Sequence, residues 1–127
     1  MSVEEKTLTK ESLDQFHGCE KAYPAPGGRI YTEGVRHVIE AGGAWWLITD
    51  IAVYGGEADV AGPCGGFQLW TLKTHDRPNG VRSATLTCVP DEGKSPLFRH
   101  EYTVTDFPLD EIDILVIGDT ILLPSEY

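Results

Sequence analysis

The sequence predicts an α+β fold in which two or three N-terminal helices pack on a roughly five-stranded antiparallel sheet. Three observations lead there. Apolar residues at helical spacing are confined to the first half of the chain, ending near Tyr54. From Phe67 onward, large apolar residues alternate with mostly polar ones, as a sheet with one buried face requires. The turn-forming pairs Asn79-Gly80 and Gly118-Asp119 separate these runs closely enough to make hairpins.

Taken in order, Thr9-Lys-Glu-Ser-Leu-Asp-Gln-Phe16 reads as a short helix with Thr9 as N-cap. Leu13 and Phe16 share one of its faces, and Gly18 closes it. Pro24-Ala-Pro-Gly-Gly28 is a turn, and Arg29-Ile-Tyr-Thr32 is extended. Thr32 can cap a helix over Glu33 to Ala41 with Val35, Val38 and Ile39 inward, stopped by Gly42-Gly43. The run from Ala44 to Tyr54 carries both signals. Its β-branched and aromatic residues suit a strand, but Trp45, Ile48 and Ala52 fall at helical spacing, and we read it as a helix. Strands follow at Phe67 to Lys73, at Arg82 to Val89 and, after the turn Pro90 to Lys94, at Leu97 to Thr105. A closing hairpin joins Ile112 to Ile117 with Ile121 to Leu123, and the short Thr120 to Leu123 strand is an edge candidate for homodimer formation.

At 127 residues the chain has the length of one domain, with no repeat or charged linker to divide it, so residues 1–127 are read as a single α+β domain. Twenty acidic residues against ten basic ones give a formal charge of −10. That balance excludes direct binding to nucleic-acid phosphate, which depends on Lys and Arg displacing counterions, and disfavours anionic membranes. No apolar run approaches the ~20 residues that span a bilayer, and Met1-Ser-Val-Glu-Glu-Lys6 does not open like a secretory signal, so a cytoplasmic location is expected. Cys19, Cys64 and Cys88 are odd in number and far apart, which fits reduced thiols.

Catalytic and metal chemistry find little support. The four histidines and three cysteines show no zinc spacing, the closest pair being His17 and Cys19. The glycine pairs match no phosphate-binding loop. Carboxylate pairs such as Asp106 with Asp110 could serve as acid and base, but acidic residues near strand ends ordinarily serve solvation. No cofactor, metal or catalytic residue is therefore assigned. Trp45, Trp46 and Trp70, with His37 or His100, could line a small-ligand pocket between helices and sheet, against a more ordinary role in the core. Tyr127 is expected to pack on the body of the fold, with its carboxylate held by an Arg.

The last twenty-two residues, from Asp106, carry six carboxylate side chains and no Lys, Arg or His. A surface formed by Asp106, Asp110, Glu111, Asp113 and Asp119 would attract a basic partner. Glu111 and Asp113 stand two apart on one strand, about 6.6 Å, a spacing comparable to that of phosphates along a nucleic-acid strand.

Several blocks carry a resemblance: Ile30-Tyr-Thr-Glu-Gly-Val35, Gly42-Gly-Ala-Trp-Trp-Leu47, Phe67-Gln-Leu-Trp70, Tyr102-Thr-Val-Thr-Asp-Phe-Pro-Leu-Asp110 and Leu123-Pro-Ser-Glu-Tyr127. In these the chain resembles an uncharacterised family, a domain of unknown function found in small acidic proteins of bacteria, plasmids and phages. The resemblance implies no catalytic residues. Its mobile-element setting implies a non-enzymatic protein that occupies the basic nucleic-acid channel of a host defence complex, in the manner of an anti-CRISPR. A small-ligand protein or enzyme, and a homo-oligomeric assembly protein, are the alternatives.

Overall fold

The computed structural model describes residues 9, 22–57, 66–78, 80–90 and 96–127. The helix read over Thr9 to Phe16 lies, Thr9 apart, outside the described residues. Two helices and seven strands are described: β1 (Ala22–Ala25), β2 (Arg29–Thr32), α1 (Glu33–Gly42), α2 (Trp45–Tyr54), β3 (Phe67–Asp76), β4 (Arg82–Val89), β5 (Phe98–Tyr102), β6 (Glu111–Ile117) and β7 (Thr120–Leu122).

The helices form where local chemistry specifies them. The Thr32 hydroxyl accepts from the Val35 amide at 3.3 Å, Glu33 places a negative charge in the first turn of α1, and Gly43 closes the helix at φ 62°. Helix α2 starts two residues later and buries Leu47, Ile48, Ile51 and Ala52, a stripe along one face. Its ambiguous β-branched composition is resolved by that stripe, because burial of a helical face outweighs a propensity difference of a few tenths of a kcal/mol per residue.

The sheet departs from the expected five antiparallel strands. Its order is β1-β2-β7-β6-β3-β4-β5, and it is mixed: β2 pairs parallel with β7 (Ile30 with Thr120, Tyr31 with Ile121), while the other pairs are antiparallel. The additional strands are β1, whose second half falls in the segment read as a turn, and β2, the segment read as extended, which joins the same sheet. Pro24 and Ala25 lie in β1, and only Pro26–Gly28 turns, with Gly27 and Gly28 at φ 74° and 77°. A proline is tolerated there because β1 is an edge strand, where a missing N–H interrupts no second ladder. Among the described residues, the two helices follow a β-hairpin. The expected edge strand is also corrected, since β7 is enclosed between β2 and β6, and among the described strands the edges are β1 and β5.

Register divides the sheet into two faces. Trp70 and Leu72 of β3, Ala84, Leu86 and Cys88 of β4, and Ile112, Ile114 and Val116 of β6 pair across the strands and join Val35, Val38, Leu47, Ile48 and Ile51 in one buried cluster. Each large apolar side chain buried this way contributes about 1.5–3 kcal/mol relative to exposure. The opposite face carries the intervening residues, among them exposed Lys73, Glu111 and Asp113. No helix among the described residues is long and apolar enough to cross a membrane.

The chain end forms a clasp. Its last turn, Pro124–Glu126, brings the buried Glu126 carboxylate to the start of α1. Oε1 accepts from the Thr32 hydroxyl at 2.6 Å and the Leu123 amide at 2.9 Å, and Oε2 accepts from the Gly34 amide at 3.1 Å. A negative charge at a helix N-terminus is favourable, and its desolvation is offset by three donors. Tyr127, expected to pack inward, is 81% exposed. The residue beside it is the anchor, because a carboxylate can meet orphan amides at a helix start and a phenol ring cannot.

Candidate binding cleft

The cleft arises from a match of two periodicities. Along α2, residues four apart are separated by about 6.0 Å, and along β5 residues two apart by about 6.6 Å. Trp46, Asp50 and Tyr54 can therefore run beside Tyr102, His100 and Phe98 nearly in step. The ring contacts follow that ladder: Trp46 meets Tyr102 edge-on at 4.8 Å, Tyr54 meets His100 at 5.5 Å and Phe98 at 4.7 Å, and His100 meets Tyr102 at 4.7 Å. Asp50 stands within this aromatic row, and its Oδ2 accepts a 2.6 Å hydrogen bond from the Tyr102 hydroxyl. Burial, then the hydrogen bond to Asp50 and the carboxylate's charge, push the Tyr102 phenol well above the usual tyrosine range. Tyr102 is thus a fixed neutral donor that orients one oxygen of Asp50.

Beyond Tyr102 the chain turns back toward β6, and its course is set by Arg82. The Arg82 guanidinium donates to the Phe107 carbonyl and to Asp110 Oδ1, both at 2.7 Å, and its Nε lies 3.3 Å from Asp76. The Arg82 carbonyl accepts from the Thr105 amide at 2.8 Å, and the Thr74 hydroxyl donates to the Leu109 carbonyl at 2.9 Å. Phe107 is fully buried and Leu109 nearly so. The block Thr105 to Asp110 is therefore held by anchors at alternate positions, which leaves Asp106 exposed between them. Trp46, Asp50, Tyr102, Val104, Thr105 and Asp106 enclose an open cleft of about 500 Å³.

The five carboxylates expected to form one surface are dispersed. Asp106 lies in the cleft. Asp110 is the exposed partner of Arg82. Glu111 and Asp113 do share a face, but it is the opposite face of the sheet, where Lys73 pairs across from Glu111 and the Thr71 hydroxyl donates to Asp113 at 2.8 Å. Asp119 sits in the β6–β7 turn, at the far end of a strand about 20 Å long, and lines a second cavity of about 220 Å³ with Arg29, Gly55 and Gln68. Gln68 is committed there, donating to the Gly55 carbonyl and accepting from the Trp70 indole, both at 2.9 Å.

Of the proposed pocket residues, Trp46 lines the cleft and His100 meets Tyr102 edge-on beside it. Trp70 is core, and Trp45 is half exposed against Tyr31. His37 lies on α1, and neither His37 nor Trp45 lines the cleft. Asp50, Tyr102, Val104 and Thr105 went unnoticed in the sequence. The available signal was the i, i+4 pair Trp46 and Asp50, together with Phe98, His100 and Tyr102 alternating on one strand face. Cys19 and Cys64 lie outside the described residues, and Cys88 is buried. Among the described residues no group of three or more His, Cys, Asp or Glu side chains is arranged to hold a metal. Comparison with curated proteins and with solved structures finds no match. The family comparison does: its model matches residues 7–127, and the chain belongs to DUF6876, a family of unknown function.

Proposed function

We propose that this chain is a non-enzymatic acidic module that binds a positively charged protein, with the cleft between α2 and the β5–β6 connection as its contact site. One observation carries the reading. The cleft is walled by two carboxylates and two large aromatic rings, with no cationic side chain among its described lining residues. Such a site attracts a basic group through charge and through the negative faces of the rings. The formal charge of −10 favours encounter with a basic partner. A nucleic-acid-handling protein, such as a component of a host defence complex, is a partner of that class. Between a row of carboxylates imitating phosphates and a discrete cleft for a cationic group, the dispersal of Asp110, Glu111, Asp113 and Asp119 favours the cleft.

The test is an affinity pull-down from host lysate at low and raised salt, with wild type and Asp106→Asn compared. Recovery of a basic protein that is lost at raised salt and weakened by Asp106→Asn is the expected result. A partner whose binding ignores both salt and the substitution refutes the reading.

A further inference from the structure

We propose that the cleft is a subsite for a single arginine side chain presented by the partner, an inference that rests on the binding role above and names the group recognised. The polar contacts are available. Asp50 Oδ2 is occupied by the Tyr102 hydroxyl, and its second oxygen accepts no hydrogen bond from any described residue. Asp106 is exposed, and it too accepts none from any described side chain. Two carboxylates with unused acceptor capacity suit a planar guanidinium, whose five N–H donors spread in a fork and can serve both at once.

The walls favour arginine over lysine. Trp46 and Tyr102 are half buried and meet edge to face, forming an aromatic corner. A guanidinium is weakly hydrated and stacks on aromatic rings, whereas an ammonium keeps its water and acts as a point charge. Val104, at 72% exposure an unusually open apolar side chain, stands on the rim where the methylene stem of an incoming side chain would pass. The Tyr102 hydroxyl is turned toward Asp50 and does not compete for the incoming cation, because a donor held on a carboxylate leaves the remaining oxygen as acceptor. The pocket is preorganised by groups already described: Arg82 fixes the Thr105 to Asp110 block, and the ladder between α2 and β5 fixes Asp50. Little ordering is left to oppose binding.

The probe is N-acetyl-arginine methylamide, titrated into the ¹⁵N-labelled full chain and followed by NMR at the tryptophan indole and backbone amide signals. Saturable shifts at Trp46, Val104 and Asp106 are expected. The lysine counterpart should bind more weakly, and Asp106→Asn should weaken the arginine probe about tenfold, the scale of one charge-assisted hydrogen bond. Asp106 is exposed and makes no side-chain hydrogen bond or ion pair with the described residues, so this variant is expected to fold as wild type, and undisturbed core signals verify that. Shifts that do not saturate, or equal binding of the two probes, overturn the arginine assignment. Failure of the broader reading looks different. If the probe binds as expected and no basic protein is recovered from lysate, the subsite stands without the proposed partner class. If a salt-sensitive basic protein is recovered but excess probe does not compete with it, the subsite is wrong and the acidic module stands.

Discussion

Replacing Gly34 by alanine should destabilise the protein, against the ordinary rule that alanine improves a helix by about 1 kcal/mol over glycine. Gly34 lies in the first turn of α1 with ordinary backbone angles, so the reason is packing alone. A Cβ there would sit 2.6 Å from Glu126 Oε1, 2.7 Å from its Cδ and 2.7 Å from Leu123 Cδ1. The methyl group and the carboxylate cannot share that space, and Glu126 must withdraw. Its withdrawal disrupts hydrogen bonds from Gly34, Thr32 and Leu123, each of a kind that contributes about 1.5–3 kcal/mol when one partner is charged. If two of the three are lost, the cost is about 3–6 kcal/mol, from which the helix gain of ~1 kcal/mol is subtracted, leaving a net loss of about 2–5 kcal/mol. Urea unfolding of wild type, Gly34→Ala, Glu126→Ala and the double variant measures it. In the Glu126→Ala background the added methyl meets only the end of Leu123, so the Gly34→Ala cost should shrink or change sign. A Gly34→Ala protein as stable as wild type, or additive effects in the double variant, would refute the clasp.

Four further outcomes are expected. Glu126→Gln keeps the shape of the side chain but turns one acceptor into a donor facing donors, so it should cost about 1–3 kcal/mol in the same urea assay. The phenol of Tyr102 holds its proton to higher pH in the folded than in the unfolded state. The stability it contributes is therefore complete below the unfolded tyrosine pKa of about 10 and declines as pH rises above it. Urea midpoints should fall from about pH 10 upward in wild type and fall less in Tyr102→Phe; parallel curves would argue against a shielded phenol. Arg82→Ala should cost about 1–3 kcal/mol in the urea assay, since it removes the donor to the Phe107 carbonyl while keeping the backbone carbonyl that holds the Thr105 amide. Asp110→Asn should cost under about 0.5 kcal/mol, because that carboxylate is 90% exposed and its ion pair is screened; a larger loss from Asp110→Asn than from Arg82→Ala would reverse this ranking.

Local signals in the sequence translated directly into local structure. Thr32 caps α1 and Gly43 ends it because both effects act within one turn of helix. The strands that begin at Phe67 and Arg82 form where period-two alternation places them, because alternation reports which face is buried whatever the neighbouring strand is, whereas the strand expected over Leu97 to Thr105 is confined to Phe98–Tyr102. Pro24 misled for the same reason: its signal is local, and an edge position that tolerates proline is a property of the whole sheet. The Leu-Pro-Ser-Glu-Tyr ending was legible as a structured segment, but the sequence could not show that Glu126, ninety-two residues from Gly34, was its anchor.

The site followed the same division. Excess acid, the aromatic residues and the want of a catalytic or metal motif are matters of composition and spacing, and the sequence by itself determined them. Which carboxylates share a surface depends on strand order. Asp106 and Asp50 are fifty-six positions apart, yet β5 lies beside α2 and brings both to one cleft. Glu111, only five residues from Asp106, faces the other side of the sheet beside Lys73. Tertiary structure alone decided this, because strand pairing reverses facing every residue and joins segments regardless of their separation along the chain.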